Sequence, residues 1–135
     1  MTDLVRNEVL QKLADGAFNC PKEFTLSMFS GKWKINMIYH MGKEGAYYFN
    51  EFQKLLPAAS HKELAEKLKE LVADGLVVRT EEAGQRRKVS YALTPLGETL
   101  LPIVNAMYDW GTQRLAELKM QDVKFGLGQV KSTTK

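Results

Sequence analysis

The feature that most constrains this fold is a pair of short capped helices with β-prone segments directly after them. "NEFQKLL" begins at Asn50, and "SHKELAEKLKELVADGL" begins at Ser60, with Glu63 three residues on. A capping residue followed three positions later by Glu or Gln is typical of a helix start. The second helix is predicted to end at Gly75, and residues 57–60 form a four-residue turn between the two helices.

After this helix pair, the pattern changes to β structure. Residues 76–80 are a short β-prone run, residues 89–93 alternate apolar and polar, and a polar stretch containing Gly84 separates the two. Such runs predict a β-hairpin. Its loop carries three consecutive cations: Arg86, Arg87 and Lys88. Two helices followed by a hairpin form a winged helix-turn-helix, so we expect a mainly α fold with a small β-hairpin wing.

Further helices are predicted on the N-terminal side. Apolar residues recur at helical spacing over residues 3–15. Pro21 is a suitable first residue for a second helix. A third helix would be capped by Ser30 and end at Gly42, with methionine and tryptophan on its buried side.

On the C-terminal side, Thr94 supplies a cap and Pro95 a first-turn residue for one long helix. Tyr108 and Trp110 in this helix would either line an effector pocket or pack between two copies of the chain. Residues 1–125 are predicted to form one domain, and the polar, glycine-rich residues 126–135 a flexible tail.

Composition restricts the class of protein. The chain has 135 residues, 44% hydrophobic and 26% charged, which fits one ordinary globular domain. It contains no apolar run of membrane-spanning length and no signal peptide, so we expect a cytoplasmic protein. One cysteine and two histidines make a poor metal set. Without a phosphate-binding loop or a catalytic motif, we expect no enzyme activity, no cofactor and no metal.

The placement of positive charge indicates a nucleic-acid partner more strongly than the net charge of +3 does. The second helix of such a pair can enter the major groove, and the wing meets phosphate or the minor groove. The alternative is that these cations are only solvated surface. The residues predicted to contact double-stranded DNA are Ser60, His61, Lys62, Lys67, Arg86, Arg87 and Lys88.

An ordered series of motifs resembles the HxlR-type family of bacterial winged helix-turn-helix transcription regulators, which is related to the MarR group. The resemblance runs from Cys20 to about Trp110, two-thirds of the chain. The motifs are "CP" at 20–21, "GKWK" at 31–34, "FNEF" at 49–52, "S-x-K-x-L" at 60–64, "L-x-x-L-x-A-D-G-L-V" at 68–77 and "Y-x-L-T-x-L-G" at 91–97.

The resemblance implies a homodimer that binds a pseudo-palindromic operator, with one recognition helix for each half-site. The two chains would meet through their N-terminal and C-terminal helices. The implied interface residues are Val5, Val9, Leu13, Val104, Met107, Tyr108, Gly111 and Leu115.

Several positions depart from the family pattern. Tyr48 stands where a basic residue is frequent, Ala65 where a hydroxyl residue is frequent, and Glu66 near a frequent glutamine. Because base readout follows side-chain chemistry, these changes imply a different operator. The acidic pair Glu63 and Glu66 leaves a second interpretation open, a winged-helix module that binds a protein and no DNA. A small-molecule effector is compatible with either interpretation, but the sequence identifies none.

The lone Cys20 has two interpretations. Placed before Pro21, it is predicted to be the N-cap of a helix, and a helix N-terminus favours a thiolate. The resemblance implies that some family members sense oxidants or electrophiles through this cysteine. The alternative is a small buried residue beside Phe18 and Phe24, inert and shielded.

Overall fold

A computed structural model describes residues 2–84 and 88–131 of the chain. Within these residues the helices are α1 (Asn7–Ala14), α2 (Pro21–Phe29), α3 (Lys34–Glu44), α4 (Phe49–Leu55), α5 (His61–Ala73), α6 (Pro95–Glu98) and α7 (Leu101–Glu117). The strands are β1 (Tyr47–Tyr48), β2 (Val77–Glu82) and β3 (Lys88–Leu93). The predicted fold, mainly α with a hairpin wing, is confirmed.

The three strands form one antiparallel sheet in the order β1-β3-β2. In the hairpin, Val77 lies opposite Leu93 and Glu82 lies opposite Lys88. The strand β1 was not predicted, because a two-residue strand carries no periodicity. It pairs with β3 and thereby attaches the wing to the start of α4.

The core lies between the helix pair, α3 and the sheet. Leu64, Leu68 and Leu71 give α5 a fully buried side, at the spacing expected for one face of a helix. Tyr47 and Phe52 stack beside them with their ring centroids 4.8 Å apart. Burial of such side chains stabilises the fold by about 1.5–3 kcal/mol each, and it leaves the opposite side of α5 in solvent.

Two predicted boundaries of α3 are wrong. Ser30 does not cap this helix, which begins at Lys34 after Trp33, and Gly42 does not end it. A Cβ on Gly42 would lie 2.4 Å from Cδ2 of Leu101, so the glycine is inside the helix because α7 packs closely there. Gly45, whose φ is +88°, follows the end of the helix instead.

Other boundaries also differ from those predicted. The helix α4 is capped at Tyr48, whose N–H donates to Oε1 of Glu51 at 2.8 Å, and not at Asn50. The predicted long C-terminal helix is divided into α6 and α7. Pro102 explains the division, because proline has no N–H to bond the carbonyl of Glu98 and its ring would clash there. The first helix is shorter than 3–15 and begins at Asn7.

The C-terminal segment, predicted as a flexible tail, makes contacts over residues 126–131. The N–H of Gly128 donates to the carbonyl of Leu55 at 2.8 Å, and Val130 packs against the core. Residues 132–135 lie outside the described residues. In residues 2–84 and 88–131, no helix combines the length and the apolar character that crossing a membrane requires.

Replacing Gly97 by alanine is expected to destabilise the protein by about 3 kcal/mol, in the upper part of the range for overpacking. A Cβ at this position would lie 2.1 Å from the backbone oxygen of Leu76, which cannot move aside as a side chain could. Urea unfolding measures the effect. Gly126→Ala is the control, because nothing lies within 4 Å of its added Cβ. Equal stability of the two variants would contradict this packing.

Candidate nucleic-acid interface

The start of α5 is held by a reciprocal capping box. Oγ of Ser60 accepts a hydrogen bond from the N–H of Glu63 at 3.0 Å, and Oε1 of Glu63 accepts one from the N–H of Ser60 at 2.9 Å. This confirms the predicted cap. The sequence did not predict the third bond, in which Nε1 of Trp33 donates to Oε2 of Glu63 at 3.2 Å. The beginning of α5 is therefore attached to the residue before α3.

These hydrogen bonds lower the pKa of Glu63, with the backbone N–H of Ser60 as the main cause and Trp33 as the next. Glu63 therefore stays ionised as an acceptor for the cap. The cap and Trp33 occupy the carboxylate oxygens of Glu63, so this residue stabilises the start of the helix. Glu66 is then the acidic side chain on the outer side of α5.

Replacing Glu63 by glutamine is expected to lower the free energy of unfolding by about 1 kcal/mol, because a glutamine has one acceptor oxygen for two donors. The measurement is urea unfolding, with Glu66→Gln as the matched control on the same helix. A Glu63→Gln variant as stable as the Glu66→Gln variant would contradict the role of Glu63 in the cap.

The outer face of α5 carries Lys62, Glu66 and Lys69, all exposed. They follow one another at intervals of four and three residues, so they lie on one side of the helix, away from the buried leucines. Lys67 was predicted to belong to this group, but it is half-buried, with its ammonium 3.9 Å from Oε1 of Glu70. The structure thus places Lys69, which was not among the predicted contacts, on the same side of α5 as Lys62, and it places Lys67 on the flank.

His61, the first residue of α5, is exposed, and its ring lies 4.6 Å from the ring of Phe49, between centroids. The contact joins the first residues of α4 and α5. The imidazole thus lies at the end of the helix that would approach DNA.

On the wing, Lys88 begins β3, and its ammonium lies 5.2 Å from the centroid of the Tyr48 ring. The hydroxyl of Tyr48 donates to Oε1 of Glu82, the residue opposite Lys88 in the hairpin. Tyr48 therefore links the base of α4 to the wing. The predicted contacts Arg86 and Arg87 lie outside the described residues.

The other end of α5 is anchored by buried ion pairs. Nε of Arg6 lies 2.8 Å from Oδ2 of Asp74, and Nζ of Lys34 lies 2.7 Å from Oε1 of Glu70. A further bond runs from Nη2 of Arg6 to the carbonyl of Ser27 in α2. Charged side chains thereby join the segment before α1 to α2, α3 and the end of α5.

Cys20 occupies the N-cap position of α2, as predicted, and is half-buried. Its side chain makes no capping hydrogen bond. The adjacent rings of Phe18 and Phe24 are in edge contact, with centroids 6.2 Å apart. Among the described residues, no group of acidic, histidine and cysteine side chains is arranged to hold a metal ion.

The predicted dimer residues divide into two groups. Val9 and Val104, each 2% exposed, are buried in the chain's own core and offer no surface to a partner. Val5, Gly111 and Leu115 are partly exposed. Leu13, Met107 and Tyr108 are exposed. Other exposed apolar residues lie on α1, on α7 and in the segment beyond it: Leu10, Ile103, Trp110, Leu118, Met120, Val123 and Phe125.

Comparison with known proteins gives the family of this architecture. The model of the HxlR-like helix-turn-helix family matches residues 28–119, more than half of the chain. The HTH-type transcriptional regulator YybR of Bacillus subtilis is 46% identical over 92 residues, 68% of this chain and 73% of that protein. The HTH-type transcriptional regulator YdzF, also of B. subtilis, is 40% identical over 91 residues, 67% of this chain and 84% of the relative.

Solved structures agree with this result. The redox regulator HypR in its reduced form has 42% identity and a TM-score of 0.70, covering 74% of this chain and 98% of HypR. The reduced form of the transcriptional regulator YodB from B. subtilis has 34% identity and a TM-score of 0.60, covering 71% of this chain and 94% of YodB. The chain therefore belongs to the HxlR-like helix-turn-helix family.

Proposed function

We propose that this chain, a DNA-binding transcriptional regulator, acts as a homodimer on a pseudo-palindromic operator, with α5 of each copy in the major groove. The observation that carries the proposal is the outer face of α5. It presents Lys62 and Lys69 to solvent while the capping box and the ion pairs hold both ends of the helix. Exposed cations on a rigid helix supply phosphate contacts and a fixed orientation for base readout.

The apolar surface of α1 and α7 supports a dimer. Trp110 is 71% exposed, and Leu10, Leu13 and Met107 are each about half exposed. A monomer rarely leaves so many large apolar side chains in solvent. A second copy would cover them and would set the distance between the two α5 helices, which must match about 34–36 Å, one turn of B-DNA.

Selection of bound fragments from genomic DNA by the purified full-length protein tests the DNA-binding proposal. The expected result is an enriched sequence with two inverted half-sites about 10 base pairs apart, centre to centre. An enriched sequence without symmetry would contradict the dimer. Failure to bind any duplex at low salt would favour the alternative, a winged-helix module that binds a protein.

We further propose that oxidation of Cys20 changes operator affinity. Two thiols, one Cys20 from each chain or Cys20 and a small cytosolic thiol, would lose two protons and two electrons to form one disulfide. The position of Cys20 at the start of α2 supports this, because α2 is linked to α5. The carbonyl of Ser27 in α2 accepts a hydrogen bond from Arg6, and Arg6 also contacts Asp74 at the end of α5. HypR, a similar protein of known structure, is named a redox regulator.

The redox proposal predicts that diamide changes the operator affinity of the native protein and leaves that of Cys20→Ser unchanged. Diamide accepts the two electrons and two protons that the thiols release. Titration of labelled operator DNA with the native and Cys20→Ser proteins, each with and without diamide, measures the four affinities. Equal affinity in all four samples would leave Cys20 as a packing residue beside Phe18 and Phe24.

A further inference from the structure

Residues 126–131, the C-terminal strap, lie along α4, the first helix of the pair. The N–H of Gly128 donates to the carbonyl of Leu55, the last residue of α4, at 2.8 Å. Three residues on, the ammonium of Lys131 donates to the carbonyl of Ala46 and lies 3.8 Å from Oε1 of Glu51, in the first turn of α4. A helix of 7 residues is about 10 Å long, which three residues of extended chain can span. The C-terminal strap is therefore attached at both ends of α4.

Close contacts hold the C-terminal strap in place. A Cβ on Gly128 would overlap the backbone oxygen of Lys54, so only glycine allows this approach to α4. Val130 packs against the core, and the ammonium of Lys131 lies 4.3 Å from the centroid of the buried Tyr47 ring. The C-terminal strap lies beyond residue 119, where the match to the family model ends. The family model therefore does not account for this attachment of α4.

The C-terminal strap also connects α4 with α7. Gly126 and Leu127 line a cleft whose other walls are formed by α7 and by the turn between α4 and α5. The middle of α7 is attached to α3 instead, where the rings of Tyr108 and Tyr39 stack with centroids 5.4 Å apart. The helix α7 thus has two connections to the helix-turn-helix, and the C-terminal strap is the one that ends on α4.

We propose that the C-terminal strap positions α4, and with it α5, relative to α7, and so fixes the distance between the two half-sites that the dimer recognises. This inference rests on the proposed dimer, in which α7 belongs to the interface, α4 crosses the DNA backbone and α5 enters the groove. One base pair displaces a half-site by about 3.4 Å, a tenth of the turn of about 34–36 Å. A small movement of α4 against α7 therefore changes which spacing fits, and Gly128 and Lys131 act as positioning residues.

Two pairs of variants separate this role from a general loss of structure. Gly128→Ala brings a Cβ against the backbone of α4, whereas nothing among the described residues lies within 4 Å of the Cβ added in its control, Gly126→Ala. Lys131→Gln removes the second attachment without a steric clash, and Lys124→Gln, at an exposed lysine, is its control. Circular dichroism and sedimentation check that each variant is folded and dimeric.

Titration then measures binding to three DNA molecules: the operator obtained by genomic selection, the same operator with two base pairs inserted between the half-sites, and an isolated half-site. The native protein and both controls should bind the lengthened operator at least about tenfold more weakly than the original. Gly128→Ala should bind the original about tenfold more weakly than the native protein does, because α4 must then be ordered on binding, and its two affinities should differ less than about threefold. Lys131→Gln should change in the same direction.

Affinity for the isolated half-site and the dependence of affinity on salt should be equal in all five proteins, because no phosphate contact is removed. If Gly128→Ala discriminates between the two spacings as strongly as the native protein, the proposal is overturned and the proposed function stands. Should Gly128→Ala unfold, Lys131→Gln decides in the same way. Half-site binding that falls as much as operator binding would also overturn the proposal, because α5 itself would then be damaged. A native protein without any preference for spacing would overturn the proposed dimer on inverted half-sites, and the role of the C-terminal strap with it.

Discussion

Replacing Asp74 by alanine is expected to lower the free energy of unfolding by about 3–5 kcal/mol, the cost of leaving one member of a buried ion pair without its partner. The side chain of Asp74 is 0% exposed and follows the last turn of α5. Its two oxygens accept from the backbone N–H of Arg6 at 2.9 Å and from Nε of Arg6 at 2.8 Å. Without the carboxylate, these two donors lose their acceptor.

The neighbouring charges increase the cost. Lys34 is 2% exposed, and burial lowers its pKa, although its hydrogen bond with Glu70 acts in the opposite direction. Burial also acts to raise the pKa of Glu70, but the hydrogen bond and charge of Lys34 keep it below its usual value. Loss of Asp74 would leave Arg6 with the exposed Glu8, 3.1 Å from its Nη1, and with Glu70, 3.5 Å away, which Lys34 already engages.

Urea unfolding at one fixed protein concentration measures the effect, since the proposed dimer would make stability depend on concentration. Asp122→Ala, at an exposed acid, is the matched control and should change stability by less than about 0.5 kcal/mol. Combining Asp74→Leu with Arg6→Met removes both charges, and we expect it to be more stable than Asp74→Ala. An Asp74→Ala variant that is as stable as Asp122→Ala would show that the ion pair contributes nothing to the fold.

The sequence predicted the parts of the fold that depend on local patterns. The capping box of Ser60 and Glu63 lies within four residues, and the buried leucines of α5 repeat within three turns. The hairpin was recognisable from two β-prone runs around Gly84. Such features need only the preferences of neighbouring residues, so a single sequence is sufficient to find them.

The sequence did not predict features formed by distant residues. Arg6 and Asp74 are separated by 68 positions, and nothing in either local pattern indicates that they pair. Lys67 was predicted to contact DNA because it is a lysine on the predicted recognition helix. Its position beside Glu70 depends on which side of the helix faces the core. The segment containing Gly128 was predicted as a flexible tail. Its N–H bonds to the backbone of α4, and composition does not reveal such a contact.

The second large effect concerns DNA. Replacing both Lys62 and Lys69 by glutamine is expected to weaken binding to any duplex about 10- to 100-fold at physiological salt, because each lysine supplies one sequence-independent phosphate contact. Both side chains are exposed on the outer face of α5, and neither takes part in a salt bridge among residues 2–84 and 88–131. The change should therefore leave the folded protein intact.

Titration of labelled duplex DNA over a range of salt concentrations separates these lysines from other contributions. The slope of log affinity against log salt should decrease by about 0.9 for each lost phosphate contact. Lys67→Gln is the control on the same helix, since it removes one positive charge, against two in the double variant, at a half-buried position beside Glu70. It should weaken binding much less and leave the salt slope nearly unchanged. If Lys67→Gln lowers affinity and slope as much as the change at Lys62 and Lys69, DNA does not lie on the outer face of α5, and the flank of the helix that carries Lys67 becomes the contact surface.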